Sequence, residues 1–271
     1  MARRMPAVGG VVLSHLEFDL LWSDLDLGAP PYPLEIRSHG FTMAERDQLG
    51  GRVFESLDEA GLIDGDEVAA WVEDLLVLLS RPVLSVDALI IGQVPLRLVA
   101  VAGHRQAVLA VLDHTELALR PIRPAELTEV VADVIGDVGA GPGQPVTLAR
   151  EAFSAAMNAF ASDGHEGFTA ALAREGVTGR AVRALSSIVD SPRTCSGQFA
   201  ANGPAGRSPI VAWFDTEAGR YGVTVEAAGA GRLVTVTPAD KRWLAARLSA
   251  LLDRVRGHDP AGEAPLSGIL R

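Results

Sequence analysis

The feature that most restricts how this chain can fold is that it spells out the same order of local patterns twice. In each half, segments of helical period lead into four short runs of alternating apolar residues. A helix opened by Pro-Ala-acid then closes the series: Pro124-Ala125-Glu126 in the first half and Pro238-Ala239-Asp240 in the second. A supersecondary order repeated at this length specifies two copies of one unit. The separators between the apolar runs are too short for crossover helices, so the strands must pair as antiparallel meanders rather than as parallel βαβ units.

In the first half, Leu16, Leu20, Leu21 and Trp22 predict a short helix at 16–25, which Gly28 and the prolines after it prevent from continuing. An extended stretch is expected at 32–37. Thr42 and Glu45 form a capping-box pattern that opens a helix with the apolar face Leu49, Val53, Phe54 and Leu57. The next helix carries Val68, Trp71, Val72, Leu75, Leu76 and Leu79 at 3.6-residue spacing. After Pro82 the period changes to 2, predicting strands at 83–91, 96–102, 106–112 and 117–122, followed by a helix with Leu127, Val130, Val131, Val134 and Ile135 on one face.

The stretch 136–145 is rich in glycine and proline and reads as a linker. Beyond it come a helix with Phe153, Ala156, Met157 and Phe160, a shorter one around Phe168 and Leu172, and a third with Val182, Leu185, Ile188 and Val189. Strands are predicted at 194–201, 208–215, 220–226 and 232–237, and Thr237 to Asp240 cap a final helix with Leu244, Leu248, Leu251, Leu252 and Val255. The chain thus divides into an N-terminal α+β half at 1–135, a Gly/Pro linker at 136–146, a C-terminal α+β half at 147–255 and a flexible tail at 256–271. The fold class is α+β with a pseudo-twofold repeat. Two meanders with helices on one face can join edge to edge into one larger, mainly antiparallel sheet, which hides two otherwise exposed edges.

Composition narrows the function. Of 271 residues, 48% are hydrophobic and 21% charged, which is globular composition, and the formal net charge is −10. That balance disfavours a phosphate backbone as partner, since nucleic-acid binding rests on clustered Lys and Arg. Cys195 is the only cysteine, which excludes an intramolecular disulfide and a multi-cysteine zinc site and fits the cytosol. The start of the chain is not expected to act as a signal peptide, because Ser14, His15, Glu17 and Asp19 break the apolar stretch that follows its two arginines. The apolar stretch 83–101 contains Asp87, Pro95 and Arg97 and reads as paired strands rather than a membrane span.

No catalytic constellation emerges. The histidines, His15, His39, His104, His114, His165 and His258, are scattered and form no H-E-x-x-H pair. There is no G-x-S-x-G elbow, and Gly139 to Gly143 lacks the Lys-Ser/Thr ending of a phosphate loop. Cys195, near Arg193 at the start of a predicted strand, reads as a small buried or half-buried residue. The acidic pairs Asp58/Glu59 and Asp64/Asp66 fall at helix ends, as solvated faces do. The expectation is a soluble binding protein with no cofactor and no metal. Two other classes remain open at this point. One is a cofactor-free enzyme using His104, Asp113 and His114, and the other is a structural or regulatory subunit that dimerises through an open sheet edge.

The run Leu13-Ser14-His15-Leu16-Glu17-Phe18-Asp19-Leu20-Leu21-Trp22, the segment 27–34 and Ser38-His39-Gly40 resemble the opening of the EspG family of actinobacterial type VII (ESX) secretion chaperones. Arg81-Pro82 with Val86-Asp87, the hairpin from Asp215 to Tyr221 and the Pro238-Ala239-Asp240 helix start are similar to that family too, so that the resemblance spans about residues 10–255. It implies a central, mainly antiparallel sheet flanked by helical bundles in two pseudo-symmetric halves. It also implies a cytosolic chaperone without catalysis or cofactor, which binds PE–PPE heterodimers through PPE and keeps them soluble until export, with the secretion machinery itself a further partner.

In the family, the tip of the substrate's helical hairpin docks on the sheet, on the loop between the second and third strands and on the C-terminal helical bundle. Carried over by position, that loop is Gly92, Gln93, Val94 and Pro95, shorter here than in the mycobacterial pattern. On the sheet, Arg97, Val99 and Val101 share one face of their strand, and the face bearing Arg97 is the candidate partner surface. On the bundle, Phe168, Leu172, Val177 and Val182 are the apolar candidates.

Overall fold

Ser14 closes one element and opens the next. In the computed structural model of this chain, which describes residues 9–257, Val11–Ser14 forms strand β1. The Ser14 hydroxyl accepts a hydrogen bond from the Glu17 N–H, and the Glu17 carboxylate accepts one from the Ser14 N–H at 2.7 Å. This reciprocal cap starts helix α1 (His15–Asp24) with no residue between strand and helix. Thr42 and Glu45 open α2 (Met43–Glu59) in the same way, as their spacing predicts. The predicted apolar face of α2 is buried only at Val53 and Leu57.

Helix α3 (Ala70–Ser80) buries Val72, Leu75, Leu76 and Leu79. Val68 lies ahead of it, in a hairpin that pairs Ile63–Asp64 with Glu67–Val68, because the helix begins only after Ala69. Then come β2 (Leu84–Ile91), β3 (Leu96–Ala102), β4 (Ala107–Leu112) and β5 (Glu116–Ile122), the antiparallel meander expected from the alternation. Pro124–Glu126 forms a 3-10 turn that runs into α4 (Leu127–Ile135).

The second half repeats this order with β6 (Val146–Ala149), α5 (Arg150–Arg174), α6 (Arg180–Asp190), β7 (Arg193–Gly203), β8 (Val211–Thr216), β9 (Gly219–Ala228), β10 (Gly231–Pro238) and α7 (Lys241–Val255). Gly164, at φ 63°, breaks α5 into two helical pieces, one carrying Phe160 and the other Phe168, whose rings meet edge to face across the break at 6.1 Å. Asp240 caps α7 by accepting from the Trp243 N–H at 2.8 Å.

Among the described residues the sheet has eleven strands, in the order β1-β5-β4-β3-β2-β7-β8-β9-β10-β6, with Gly206–Arg207 paired to β7 off this path. Antiparallel pairing of β2 with β7, from Ser85 opposite Asn202 to Ile91 opposite Ser196, joins the two meanders. The strand order reads alike outward from this junction, with β2–β5 and then β1 on one side and β7–β10 and then β6 on the other. The four-residue strands β1 and β6 occupy the two ends of the path. Neither was expected, since a four-residue run beside a helix start or a proline carries too little alternation to read. With both edges taken, 32–37 finds no partner strand and stays irregular, although it buries Leu34 completely.

One face of the sheet is covered by α4 and α7 lying together over Val86, Ala88, Ile90, Leu98, Ala100, Phe199, Ala201, Val211 and Trp213. The opposite face carries two separate bundles, α1–α3 over the first meander and α5–α6 over the second. Alternation along β3 follows the expectation, with Leu98 and Ala100 toward α4 and α7 and Val99 and Val101 toward α1–α3.

The Gly/Pro stretch after α4 is irregular but tied down. Backbone hydrogen bonds join Arg220 to Gly139 and Gly141 at 2.9 Å each, and the Tyr221 hydroxyl donates to the Pro142 carbonyl at 3.0 Å. Helix α7 ends at Val255. His258, most of the tail at 256–271 and residues 1–8 lie outside the described residues.

Candidate partner-binding surface

The two bundles on one face leave a strip of sheet between them. Because Val86, Ala88 and Ile90 of β2 pack toward α4 and α7, alternation turns Ser85, Asp87, Leu89 and Ile91 to the bundle side. Strand register sets these residues in rows. Arg97 of β3, Leu89, Gln198 of β7 and Ala212 of β8 form one row, and Ile91, Ser196 and Phe214 form the next. Leu89, Gln198 and Ala212 are half-buried and Arg97 is exposed. Ile91, at the end of its strand, is 64% exposed.

Farther along the strip, Asp87 is buried and accepts from both terminal nitrogens of Arg207, at 2.5 and 2.8 Å, and from Asn202 Nδ2 at 2.9 Å. The paired carboxylate raises the pKa of Arg207, and the guanidinium lies 5.7 Å from the Tyr32 ring centroid. Arg97 Nη1 donates to the Glu35 carbonyl at 2.6 Å. The contacts of Arg207 with Tyr32 and of Arg97 with Glu35 hold the irregular chain before α2 against the strip, while Ile91, beyond the row of Arg97, stays exposed.

The chain from the second bundle enters the sheet at this open end. Helix α6 stops at Asp190 and the chain enters β7 at Arg193, beside the end of β2 where Ile91 lies opposite Ser196. Here the Arg193 guanidinium sits 4.8 Å from the Phe214 ring centroid. Between the second piece of α5 and α6 lies an open cleft of about 630 Å³ lined by His165, Thr169, Val182, Arg183, Ser186 and Asp190 among others. His165 Nδ1 is 3.0 Å from Asp190 Oδ2, which ties the two helices at the mouth of the cleft. The buried Ser186 hydroxyl has no hydrogen-bond partner among the described residues.

The turn at Gly92, Gln93, Val94 and Pro95 joins β2 to β3 at the same end of the strip at which the chain from α6 enters β7, and Ser191 of the α5–α6 cleft lies on that connection. Gln93, Val94 and Pro95 are exposed, Val94 at 48%, and Gly92 is half-buried beside Cys195. Val182 is half-buried and lines the cleft, and Val177 is half-buried where the chain leaves α5. Val99, Phe168 and Leu172 lie beneath the surface, at 1%, 0% and 0% exposure, inside the bundle cores. They shape the surface from below and present no side chain on it. Sequence reasoning missed Ile91 as an exposed group, although an apolar residue at the point where alternation meets a turn is a signal worth reading.

The residues weighed for chemistry are apart from this surface or spent on structure. His104 and His114 stand exposed at turns, and His15 Nε2 donates to the Asp113 carbonyl at 3.1 Å. Partial burial pushes the Asp113 carboxyl upward, but hydrogen bonds from the Thr115 and Glu116 N–H groups and the Thr115 hydroxyl outweigh it and leave the pKa lowered. Burial, and then the charge of Asp215, push the Cys195 thiol upward, the opposite direction from an activated thiolate. Among the described residues no group of three or more His, Cys, Asp or Glu could hold a metal ion, and no helix is long and apolar enough to cross a membrane.

Three comparisons bear on this arrangement. The sequence profile of the EspG family matches residues 14–250. Among solved structures, the chain is similar to that of the Mycobacterium tuberculosis type VII secretion system chaperone EspG5 in complex with PE25-PPE41 dimer. The TM-score is 0.73 at 18% identity, over 91% of this chain and 97% of that chain, a likeness of fold. No curated protein matches the sequence.

Proposed function

The chain belongs to the EspG family, and we propose that it is a cytosolic chaperone that binds PE–PPE heterodimers at the PPE helical tip and keeps them soluble for type VII secretion. The observation that carries this reading is the open end of the sheet strip, where exposed Ile91 and Val94 lie beyond the row of Arg97 and beside the entry of the chain from α6 into β7, on a fold shared with a chaperone solved in complex with a PE–PPE dimer. An apolar helical tip needs apolar groups exposed to receive it, and the net charge of −10 favours solubility while the surface is unoccupied. The turn 92–95, Arg97 and Val182 are the side of the contact we assign to this chain.

A stable complex of this kind buries roughly 1,200–2,000 Å² in total, with a few central anchors each contributing about 2 kcal/mol or more. The test is co-expression with PE–PPE pairs, followed by co-purification and titration of the purified complex. Ile91→Asp and Val94→Asp change exposed side chains and leave the cores intact. Each is expected to weaken the complex at least about 30-fold, the equivalent of about 2 kcal/mol. Failure of the parent to co-purify with any PE–PPE pair would refute the function. Full binding by both folded variants would refute the placement of the surface.

A further inference from the structure

Helix α2 leaves much of its apolar side uncovered. Of its 17 residues only Val53 and Leu57 are buried, whereas Met43 is 75% and Phe54 39% exposed. Met43, Gly50, Val53, Phe54 and Leu57 follow one another at helical spacing along one wall of a cleft of about 900 Å³, with Leu20 and Leu25 on the α1 side and Ile63 and Val68 on the hairpin side. From Met43 to Leu57 this wall runs for about 21 Å at 1.5 Å per residue, which matches about 14 residues of a second helix.

Gly50 and Gly51 stand in the middle of α2, where glycine weakens a helix. A Cβ at either position would meet nothing within 4 Å, so no packing inside this protein calls for their small size. At Gly50 the missing side chain lowers the cleft wall and lets another backbone approach.

The border of the cleft is acidic. Asp24, Asp47, Asp66, Glu67 and Glu73 line it, all are exposed, and none joins an ion pair among the described residues. The arginine of the lining, Arg46, is engaged by Asp19 at 3.2 Å, by Ser38 at 2.9 Å and by the His39 carbonyl at 2.7 Å.

We propose that this cleft is a docking site for an amphipathic cationic helix of a partner protein, with its apolar side against Met43, Val53 and Phe54 and its Lys and Arg residues over the carboxylate rim. Charge selects this occupant. A second copy of a chain of net charge −10 would bring like charge to the rim, and an anionic lipid surface would be repelled by it. The cleft shares no residue with the surface around Ile91 and Arg97, and the inference does not rest on the chaperone reading.

The experiment is a titration of the full chain against a labelled synthetic peptide, followed by fluorescence anisotropy. The peptide has about 14 residues, with leucines at i, i+3, i+4 and i+7 spacing and lysines elsewhere. Saturable one-to-one binding is expected at low salt with Kd of about 10 μM or tighter, weakening as salt screens the rim. A peptide with the same leucines scattered, and one with glutamate in place of every lysine, are expected to bind at least about 10-fold more weakly. Asp66→Asn with Glu67→Gln, and separately Met43→Ser with Phe54→Ser, should each weaken the parent peptide about 5- to 10-fold with unchanged circular dichroism. Absence of saturation, equal binding of the scattered peptide, or full affinity in both double variants overturns the proposal. So does a dimer of the parent, seen by light scattering, that Met43→Ser with Phe54→Ser dissolves, because the cleft would then belong to a second copy.

Discussion

Replacing Arg220 with methionine removes the cation around which the start of β9, the end of α4 and the Gly/Pro stretch are assembled. Its side chain is 0% exposed and that of Asp215 is 5% exposed. Arg220 Nε donates to Asp215 Oδ1 at 2.6 Å and Nη2 to Oδ2 at 2.9 Å, while Nη1 and Nη2 also donate to the carbonyls of Gly136 and Ile135 at 2.7 and 3.2 Å. Methionine spans a similar length but offers no donor, so a buried carboxylate and the last carbonyls of α4 lose their partners together. Breaking a buried pair in this way costs about 3–5 kcal/mol, a large share of a total stability of roughly 5–15 kcal/mol.

At about 2–4 °C per kcal/mol for a chain of this size, the melting temperature should fall by roughly 6–20 °C. Urea unfolding followed by tryptophan fluorescence measures the loss directly. The decisive arm is the double variant Arg220→Met with Asp215→Leu, which removes the orphaned charge as well. It should recover at least about 2 kcal/mol of the single variant's deficit, because an apolar pair of similar volume has no desolvation cost. A single variant within about 1 kcal/mol of the parent, or a double variant no better than the single, would refute the argument that the ion pair organises this corner.

Two further outcomes test the same corner. Gly141→Ala would place a Cβ 2.3 Å from the Tyr221 ring and should cost about 1–3 kcal/mol in urea unfolding, whereas Gly139→Ala, with nothing within 4 Å, should stay within about 0.5 kcal/mol of the parent. Equal losses would mean that the stretch is not held against β9 as described. Cys195, with its thiol pKa raised by burial and by Asp215, should be alkylated slowly at pH 8, with a rate still climbing beyond pH 9 until urea brings it to the unfolded value. A rate that levels off by pH 8 would contradict that environment.

The hairpin from Asp215 to Tyr221 belongs among the family-like segments of the sequence, and its geometry gives it a structural occupation. Asp215 and Arg220 are cross-strand partners of β8 and β9, and Tyr221, next in line, holds Pro142 on the opposite face. Three residues of one hairpin thereby fasten the segment that connects the two meanders.

Helices, meanders and caps were legible because they are written in near neighbours. A Ser or Thr three residues before Glu, a leucine every third or fourth position and a change of period to 2 after Pro82 act within a turn or a hairpin, and α2, α7 and β2–β5 appear where those signals place them. The short separators between the apolar runs also carried the antiparallel class of the sheet. The pairing of β2 with β7 and the placing of β1 and β6 at the edges join residues on the order of a hundred positions apart in the chain, and no local pattern reports such a contact. Exposure was the least legible property of all. Phe168 and Leu172 are sealed in a core while Ile91, Val94 and Phe54, just as apolar, face outward. The chemistry of a side chain determines only that burial is favourable for it. Whether anything covers it depends on how distant layers stack, and that is decided by the tertiary structure alone.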